Sequence, residues 1–548
     1  MRDGSPGPPA GVRLLGRQIR HEIDAMLREP MMVFFVVVFP LLFFVIVTTI
    51  TGNAIIEERS GVRVAQSLLP AMVAFGLVMG GFSNLAIMLT QAREDGVLKR
   101  LRGTPLSPAV MIGARVAAGA TASFVAVVLL GVVGVLLYDV RIVWRTLPAA
   151  LLTLVAGVCC FSALGLAVAA VAPTTQAASA LTNGIVLPVS FVSDIFTVGE
   201  SKLPAWMDAI GWFFPLRHVA HALVDASDPS GSGPGLYPGH LAVIVVWGLV
   251  GAAVAVRRLG PEPGGRSPGR RNHHRAGRGS DALPRRRAGR PSVPVLLLHE
   301  VRHSNAALWR DPASAFFTVA FPALLVLLIP ELYGRHVLLP DGTPLPRFYA
   351  PTMAIYGAAV TTYITMPEGL VRARERGVLE RLVGTPLPIG LLLIGRVLSS
   401  MWISFVTFVT VMVLAGVVFG VPVPPDWPVA VAAVLAASGC YAVFGLVLVS
   451  FLSSSRAVTA AALGTLLPLS FVCEVFVVGL DLPPLLDTIG WLTPLRHAAL
   501  AASEAYSVGG IGPVHALGHL GVLLAWTLPS IAVVVWRVRV GDLTRRPR

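Results

Sequence analysis

The stretch Arg93-Glu94-Asp95-Gly96-Val97-Leu98-Lys99-Arg100-Leu101-Arg102-Gly103-Thr104-Pro105-Leu106 returns in the second half of the chain as Arg374-Glu375-Arg376-Gly377-Val378-Leu379-Glu380-Arg381-Leu382-Val383-Gly384-Thr385-Pro386-Leu387. Both copies lie between two long apolar runs, 68–90 and 109–137 around the first, 351–371 and 389–418 around the second. Runs of about 20 apolar residues match the hydrocarbon core of a bilayer. The charged stretch therefore reads as a loop joining two membrane helices, and the molecule contains that loop twice.

Working outward, four more apolar runs accompany each loop. In the first half the spans fall near 31–50, 68–90, 109–137, 147–171, 177–198 and 241–256. In the second they fall near 313–330, 351–371, 389–418, 429–451, 457–478 and 516–536. Short matches tie the halves together in order. Arg28-Glu29-Pro30 pairs with Arg310-Asp311-Pro312, and Phe39-Pro40 with Phe321-Pro322. Gly211-Trp212 and Pro215-Leu216-Arg217-His218 pair with Gly490-Trp491 and Pro494-Leu495-Arg496-His497. Gly239-His240-Leu241 pairs with Gly518-His519-Leu520. Ordered self-similarity of this kind marks an internal repeat. The expected organisation is a first repeat over 1–257, a basic linker over 258–294 with no apolar periodicity, and a second repeat over 295–548. The expected fold is an all-α polytopic membrane protein of two repeats with about six transmembrane helices each. An even number of spans starts both repeats on the same side, which makes them parallel. Arginines before the first spans, after the second spans, in the linker and after the last span fall on one face. They outweigh Arg59, Arg63, Arg141 and Arg145 on the other, so both termini are expected to be cytoplasmic.

The composition agrees. The chain is 55% hydrophobic and 13% charged, too little charge for a soluble surface of this size. Its net charge of +14 sits in short blocks between spans, which argues for membrane topology and against a nucleic-acid partner. Cys159, Cys160, Cys440 and Cys473 show neither a disulfide framework nor a zinc spacing. Lys99 and Lys202 are the only lysines. Arg100 and Leu203 follow them, so neither can serve a Walker A loop, which needs Ser or Thr after its Lys. The sequence offers no catalytic cluster, cofactor loop or metal-ligand spacing, and the chain reads as a non-enzyme. The first apolar run is long enough to be a retained span rather than a cleaved signal.

Ahead of each first span the apolar residues recur at helical spacing. Val12, Leu15, Ile19, Ile23 and Met26 do so in the first half, and Leu297, Val301 and Leu308 in the second. Each set predicts an amphipathic helix lying in the membrane interface. In the repeated loop, Asp95 and Lys99 are four apart, and Arg376 and Glu380 hold the same places with signs reversed. Each pair supports a short helix, which Gly103-Thr104-Pro105 and Gly384-Thr385-Pro386 then stop. A topogenic basic loop would explain the arginines, but not why Gly-Thr-Pro-Leu is kept in both copies.

The pattern Arg-Glu-x-Gly-x-Leu-x-Arg-Leu-x-x-Thr-Pro-Leu resembles the cytoplasmic loop of type-2 ABC transporter permeases of the drug- and antibiotic-exporter branch. The resemblance runs through both repeats, from the interfacial helix to the last span. It implies six-helix units, an interfacial connecting helix, and a coupling helix that docks on a separate ATPase subunit carrying ATP and Mg. On that resemblance the coupling loops are Arg93, Glu94, Gly96, Leu98, Arg100, Thr104 and Pro105, with Arg374, Glu375, Gly377, Leu379, Arg381, Thr385 and Pro386. The fused chain would supply both halves of the path, bind two ATPase subunits and export a small amphipathic compound across the cell membrane. A secondary transporter with parallel repeats is the rival reading. Against it stands the scarcity of ionisable groups within the spans.

After each fifth span comes an apolar stretch too short to cross, about 203–214 and 482–492. It reads as re-entrant and resembles the split fifth helix of the same family on the external face. Asp194 and Glu474 precede these stretches. Pro215, Arg217 and His218 follow the first, and Pro494, Arg496 and His497 the second. The two carboxylates either pair with Arg217 and Arg496 or attract a cationic substrate. Trp206, Trp212, Trp427 and Trp491 lie near span ends, as in an aromatic belt.

Overall fold

The computed structural model describes residues 10–57, 61–101, 108–197, 203–259, 292–340, 342–383, 388–477, 482–506 and 513–539. It is almost wholly helical. In the first half α1 (Ala10–Leu27) precedes α2 (Pro30–Ile50), α3 (Val64–Glu94), the short α4 (Val97–Leu101), α5 (Pro108–Tyr138), α6 (Leu147–Val171) and α7 (Thr175–Val192). Two short helices, α8 (Ala205–Gly211) and α9 (Pro215–Ala226), lead into α10 (Pro238–Leu259). The second half repeats the series as α11 (Val293–Trp309), α12 (Pro312–Tyr333), α13 (345–375), α14 (Val378–Val383), α15 (Ile389–Phe419), α16 (Trp427–Phe451), α17 (Ser455–Val472), α18 (Pro484–Leu492), α19 (Pro494–Glu504) and α20 (Pro513–Arg539). The amphipathic leaders are helices as expected. The linker lies outside the described residues apart from its edges, and so do Thr104, Pro105, Thr385 and Pro386.

Ten helices are long and apolar enough to cross a membrane among the described residues. Two of the expected spans, α7 and α13, fall short in apolarity. The physical reason for α13 is its position. Its first turns are enclosed by protein, with Tyr349, Met353, Ile355 and Tyr356 buried, and a helix that meets protein on all sides need not be greasy for lipid. Its counterpart α3 is likewise 78% buried. The helices that face outward behave oppositely. Leu136, Leu137, Val155, Leu249 and Val417 are exposed, an arrangement suited to a lipid surround.

Sequence dictates the irregularities as well. A π turn occupies Phe34–Val38 just before Pro40, and another occupies Phe316–Ala320 just before Pro322. Proline has no N–H for the preceding turn, and the helix widens there. A second pair of π turns lies at Met79–Asn84 and Val360–Thr365. Against them sit Gly165 of α6 and Gly445 of α16. A Cβ on Gly165 would lie 2.5 Å from the Gly81 carbonyl oxygen, and one on Gly445 would lie 2.9 Å from that of Thr362. Only glycine allows this approach.

The two halves share one core. α7 packs on α12 and α17 on α2, so each fifth span touches the first span of the other half. Between them the rings of Phe43 and Phe471 meet at 5.2 Å, flanked by Phe196 at 5.1 Å from Phe43 and Phe476 at 5.2 Å from Phe471.

Candidate functional site

Two ends of the bundle carry the charged residues. At the loop end, α3 finishes with Arg93-Glu94 and α13 with Arg374-Glu375. Gly96 and Gly377 follow at φ +70° and +67°, left-handed values suited to glycine, and turn the chain into α4 and α14. The Arg93 guanidinium donates to the Ala169 carbonyl at 2.9 Å and to that of Ala172. Arg374 donates to Val449 at 3.2 Å and Leu452 at 2.5 Å. These are carbonyls left over at the C-terminal ends of α6 and α16, where a cation is favoured. Glu94 accepts from the Thr175 hydroxyl. Glu375 accepts from the Ser455 N–H at 2.8 Å and hydroxyl at 3.0 Å. These donors open α7 and α17, where an anion is favoured. Beyond the dipeptides, Val97–Leu101 and Val378–Val383 carry Leu98, Arg100, Leu379 and Arg381. Arg100 is exposed and donates back to the Asp95 carbonyl at 3.2 Å. Leu379 is buried in a local cluster with Leu370 and Leu392.

A third pair of contacts ties the leader helices down. Glu22 of α1 meets Arg115 of α5 at 3.2 Å, and Glu300 of α11 meets Arg396 of α15 at 3.2 Å. Among the described residues, Glu29 and Arg456 form an ion pair that crosses between the halves. Burial holds the Glu29 carboxyl above its usual range even with Arg456 beside it.

At the opposite end, helices α7 and α17 stop at Val192 and Val472. Asp194 and Glu474 then turn the chain at φ +57° and +58°. The expected short stretches are the helices α8 and α18. Pro215 and Pro494, which follow those stretches, each start a second short helix, because proline suits the first helical position. Arg217 bonds Asp208 at 2.6 Å and Asp194 at 3.1 Å, and Arg496 bonds Asp487 at 2.6 Å and Glu474 at 2.6 Å. Both guanidiniums lie over tryptophans, Trp212 at 4.8 Å and Trp491 at 4.5 Å. The side chains of His218 and His240 approach at 2.9 Å between Nδ1 atoms, as do those of His497 and His519. The family model of the ABC-2 type transporter matches the chain twice, over residues 14–226 and 297–506.

The chain belongs to the ABC-2 type transporter family. Each match covers one half, so the two halves are tandem copies of one permease domain. The protein is thus a multi-pass transport component of the ABC-2 type and not itself an enzyme; its family pairs with an ABC ATPase. No curated protein matches the chain.

The structure brings the sequence-marked residues of this ABC-2 permease into two groups, one per end. It adds residues that sequence reading missed. Glu22, Arg115, Glu300 and Arg396 recur in both repeats, which was a usable signal. Asp208 and Asp487 also recur, inside short stretches read only as apolar. His240 and His519 stood out as repeat matches, but nothing in their spacing pointed to His218 and His497.

The histidine pairs have a defined proton arrangement. His218 Nε2 lies 2.9 Å from the Trp212 carbonyl oxygen, and His497 Nε2 lies 2.8 Å from that of Trp491. A carbonyl only accepts, so each Nε2 carries hydrogen and the neutral ring offers Nδ1 as acceptor. Burial lowers the pKa of both His218 and His497, opposed by the carbonyl bond and helped by His221 and Arg217 at the first and by His519 and Arg496 at the second. The folded pKa is below the unfolded value of 6.5. The resulting stability is present above that value and is lost as the pH falls through it toward the folded pKa. Lowering the pH from about 7.5 to about 5.5 should reduce the thermal midpoint of the purified permease by about 2 °C or more. Replacing both His218 and His497 by glutamine should flatten that fall; an unchanged slope in the double variant would rule the pairs out as its cause.

Proposed function

We propose that this chain is the complete membrane part of an ATP-driven exporter. The two fused halves enclose the path between them and move a hydrophobic or amphipathic compound out of the cell. ATP and Mg are bound by a separate ATPase, of which two copies dock on the loops that carry α4 and α14. The protein lies in the cell membrane with both termini and both loops on the cytoplasmic side.

The observation that carries this reading is the double family match on one chain. A permease of two such domains needs no second copy of itself. The two in-register loops then offer two docking positions. The lack of a Walker A lysine supports a motor on another chain. The arginine-rich loops and linker support the orientation through the positive-inside rule. Ring packing between Phe43 and Phe471 supports a path that is closed between the halves in this conformation.

The test is capture of the tagged full-length chain from its native membrane in mild detergent. An ABC ATPase should co-purify at about two copies per chain, and replacing Arg100 and Arg381 with glutamate should release it. A chain that brings down no ATPase, yet accumulates a lipophilic dye in proteoliposomes in response to an ion gradient, would overturn the proposal in favour of a secondary transporter.

A further inference from the structure

The Arg-Glu dipeptides at the ends of α3 and α13 are engaged within their own halves, although Glu94 and Glu375 stay exposed. Each binds two helix ends of its own half at once. The arginine holds the carbonyl end of the fourth span, through Ala169 and Ala172 or through Val449 and Leu452. The glutamate holds the amide end of the fifth span, through Thr175 or Ser455. The signs are matched to the helix dipoles, a cation at a C-terminus and an anion at an N-terminus. The reverse order would place the wrong charge on both. The same geometry occurs in both halves, although the loops differ in sign at Asp95 and Arg376.

What the dipeptide connects gives it a role. On one side, after Asp95-Gly96 and Arg376-Gly377, hang the short helices α4 and α14. On the other side, α7 and α17 are the spans that reach across to α12 and α2 of the opposite half. A displacement of the loop helix passes through Arg93-Glu94 or Arg374-Glu375 to the fourth and fifth spans together, and from the fifth span to the other half. Without the staple the loop helix can move while α7 stays where it is.

We propose that Arg93-Glu94 and Arg374-Glu375 are positioning residues that transmit loop motion to the fifth spans, rather than contacts for the ATPase. The proposal rests on the exporter reading above. It also separates two jobs within the loop. The exposed surface of α4 and α14 docks the partner, and the dipeptide behind it passes the motion on.

The test removes the staple at its fifth-span donors and leaves the dipeptides in place. Thr175→Val and Ser455→Pro leave both dipeptides intact; the first deletes the hydroxyl that opens α7, and the second deletes both the hydroxyl and the N–H that Glu375 accepts from, at a first helical position where proline is tolerated. They are combined in one chain, and Glu94→Gln with Glu375→Gln forms a second variant. Both are made in a Cys159→Ala background that also carries Glu29→Cys and Arg456→Cys, so that a bifunctional thiol reagent reports the contact between α2 and α17. Each chain is purified with the ATPase that it captures and treated with a non-hydrolysable ATP analogue. In the chain with both staples, the nucleotide should change the crosslinking yield. In each staple variant that change should shrink about tenfold, the scale of a lost coupling, while ATPase capture and nucleotide binding stay as before. A residue that only stabilises the fold would leave the nucleotide response intact in the protein that remains folded. An unchanged response in the Thr175→Val, Ser455→Pro chain overturns the proposal. So does loss of ATPase capture in the Glu94→Gln, Glu375→Gln chain, because the dipeptide would then be a docking contact. Failure of the unstapled and stapled chains alike to capture any ATPase overturns the exporter reading itself, and is seen in the starting chain before any staple variant is made.

Discussion

Replacing Arg115 with methionine should destabilise the permease by about 3–5 kcal/mol, and replacing Glu22 as well should restore most of the loss. The pair is 3.2 Å apart, with side chains only 10% and 8% exposed. Gln18 donates a further bond to the Glu22 carboxylate at 3.2 Å. Removing the arginine alone strands a buried carboxylate, and the cost is its desolvation rather than the loss of a weak attraction. Removing both charges in favour of methionine exchanges a costly pair for apolar packing, which is commonly neutral or favourable.

The second half offers an internal replicate. Glu300 and Arg396 stand in the same places at 3.2 Å, with 11% and 17% exposure. Gly395 makes room for the carboxylate there, since a Cβ on it would lie 2.7 Å from Glu300 Cγ. The single substitution Arg396→Met should therefore also destabilise, by somewhat less because the pair is wetter. The measurement is the thermal midpoint of detergent-purified protein by size-exclusion recovery. A single Arg115→Met that costs under about 1 kcal/mol, the size of an exposed pair, would show that the leader helix is not held by this contact. The leader helix is thus more than an amphipathic strip floating in the interface. A charge on its buried side fixes it to the third span.

How much of this was legible in the residues varies with the kind of contact. Helices and loops were readable because apolar run length and the repeat both report on them, and the two copies correct each other. The coupling-loop dipeptide was readable as a motif, but its partners were not. Ala172 and Leu452 contribute only backbone oxygen, and no side-chain pattern announces a carbonyl acceptor. Pro40 and Pro322 hinted at irregular helix in the first spans. No proline follows closely on the π turn at Met79–Asn84, where Gly80 and Gly81 sit instead. The extent of the fifth spans was overread. Apolar residues continue past Val192 and Val472, and only the left-handed turn at Asp194 and Glu474 ends the helix. The Glu29–Arg456 contact could not emerge from repeat comparison at all, because Gln176 replaces Arg456 in the first half. Asp311, the counterpart of Glu29, pairs instead with Arg372 at 3.4 Å. The two junctions between halves are consequently unlike at the loop end.

Arg496→Met should cost more than Arg217→Met, about 3 kcal/mol against about 2 kcal/mol. Both guanidiniums are buried, and each joins three elements: the end of the fifth span, the short helix after it, and its own helix. Arg217 bonds the Val192 carbonyl at 3.2 Å as well as Asp208 and Asp194. Gly211 is what lets α8 come so close, since a Cβ there would lie 2.1 Å from the Val192 oxygen and 2.7 Å from Arg217 Nη1. Gly490 does the same in α18, with a Cβ 2.8 Å from the Val472 oxygen and 2.9 Å from Arg496 Nη1. The left-handed backbone at Asp194 and Glu474 costs about 1–2 kcal/mol for a side chain with a Cβ, and the arginine bond is what offsets it. The halves then differ in what remains when the arginine goes. His221 lies 3.4 Å from Asp194, while Leu500 occupies the matching place in the second half and offers Glu474 no charge. Burial already holds the Glu474 carboxyl above its usual range despite Arg496, and without that arginine it would be protonated more readily still. Arg496→Lys should recover part of the loss, because one ammonium cannot reproduce the fork that meets two carboxylates. Equal losses at Arg217 and Arg496, measured on the same purified protein at neutral pH, would show that His221 contributes nothing to holding the first hairpin.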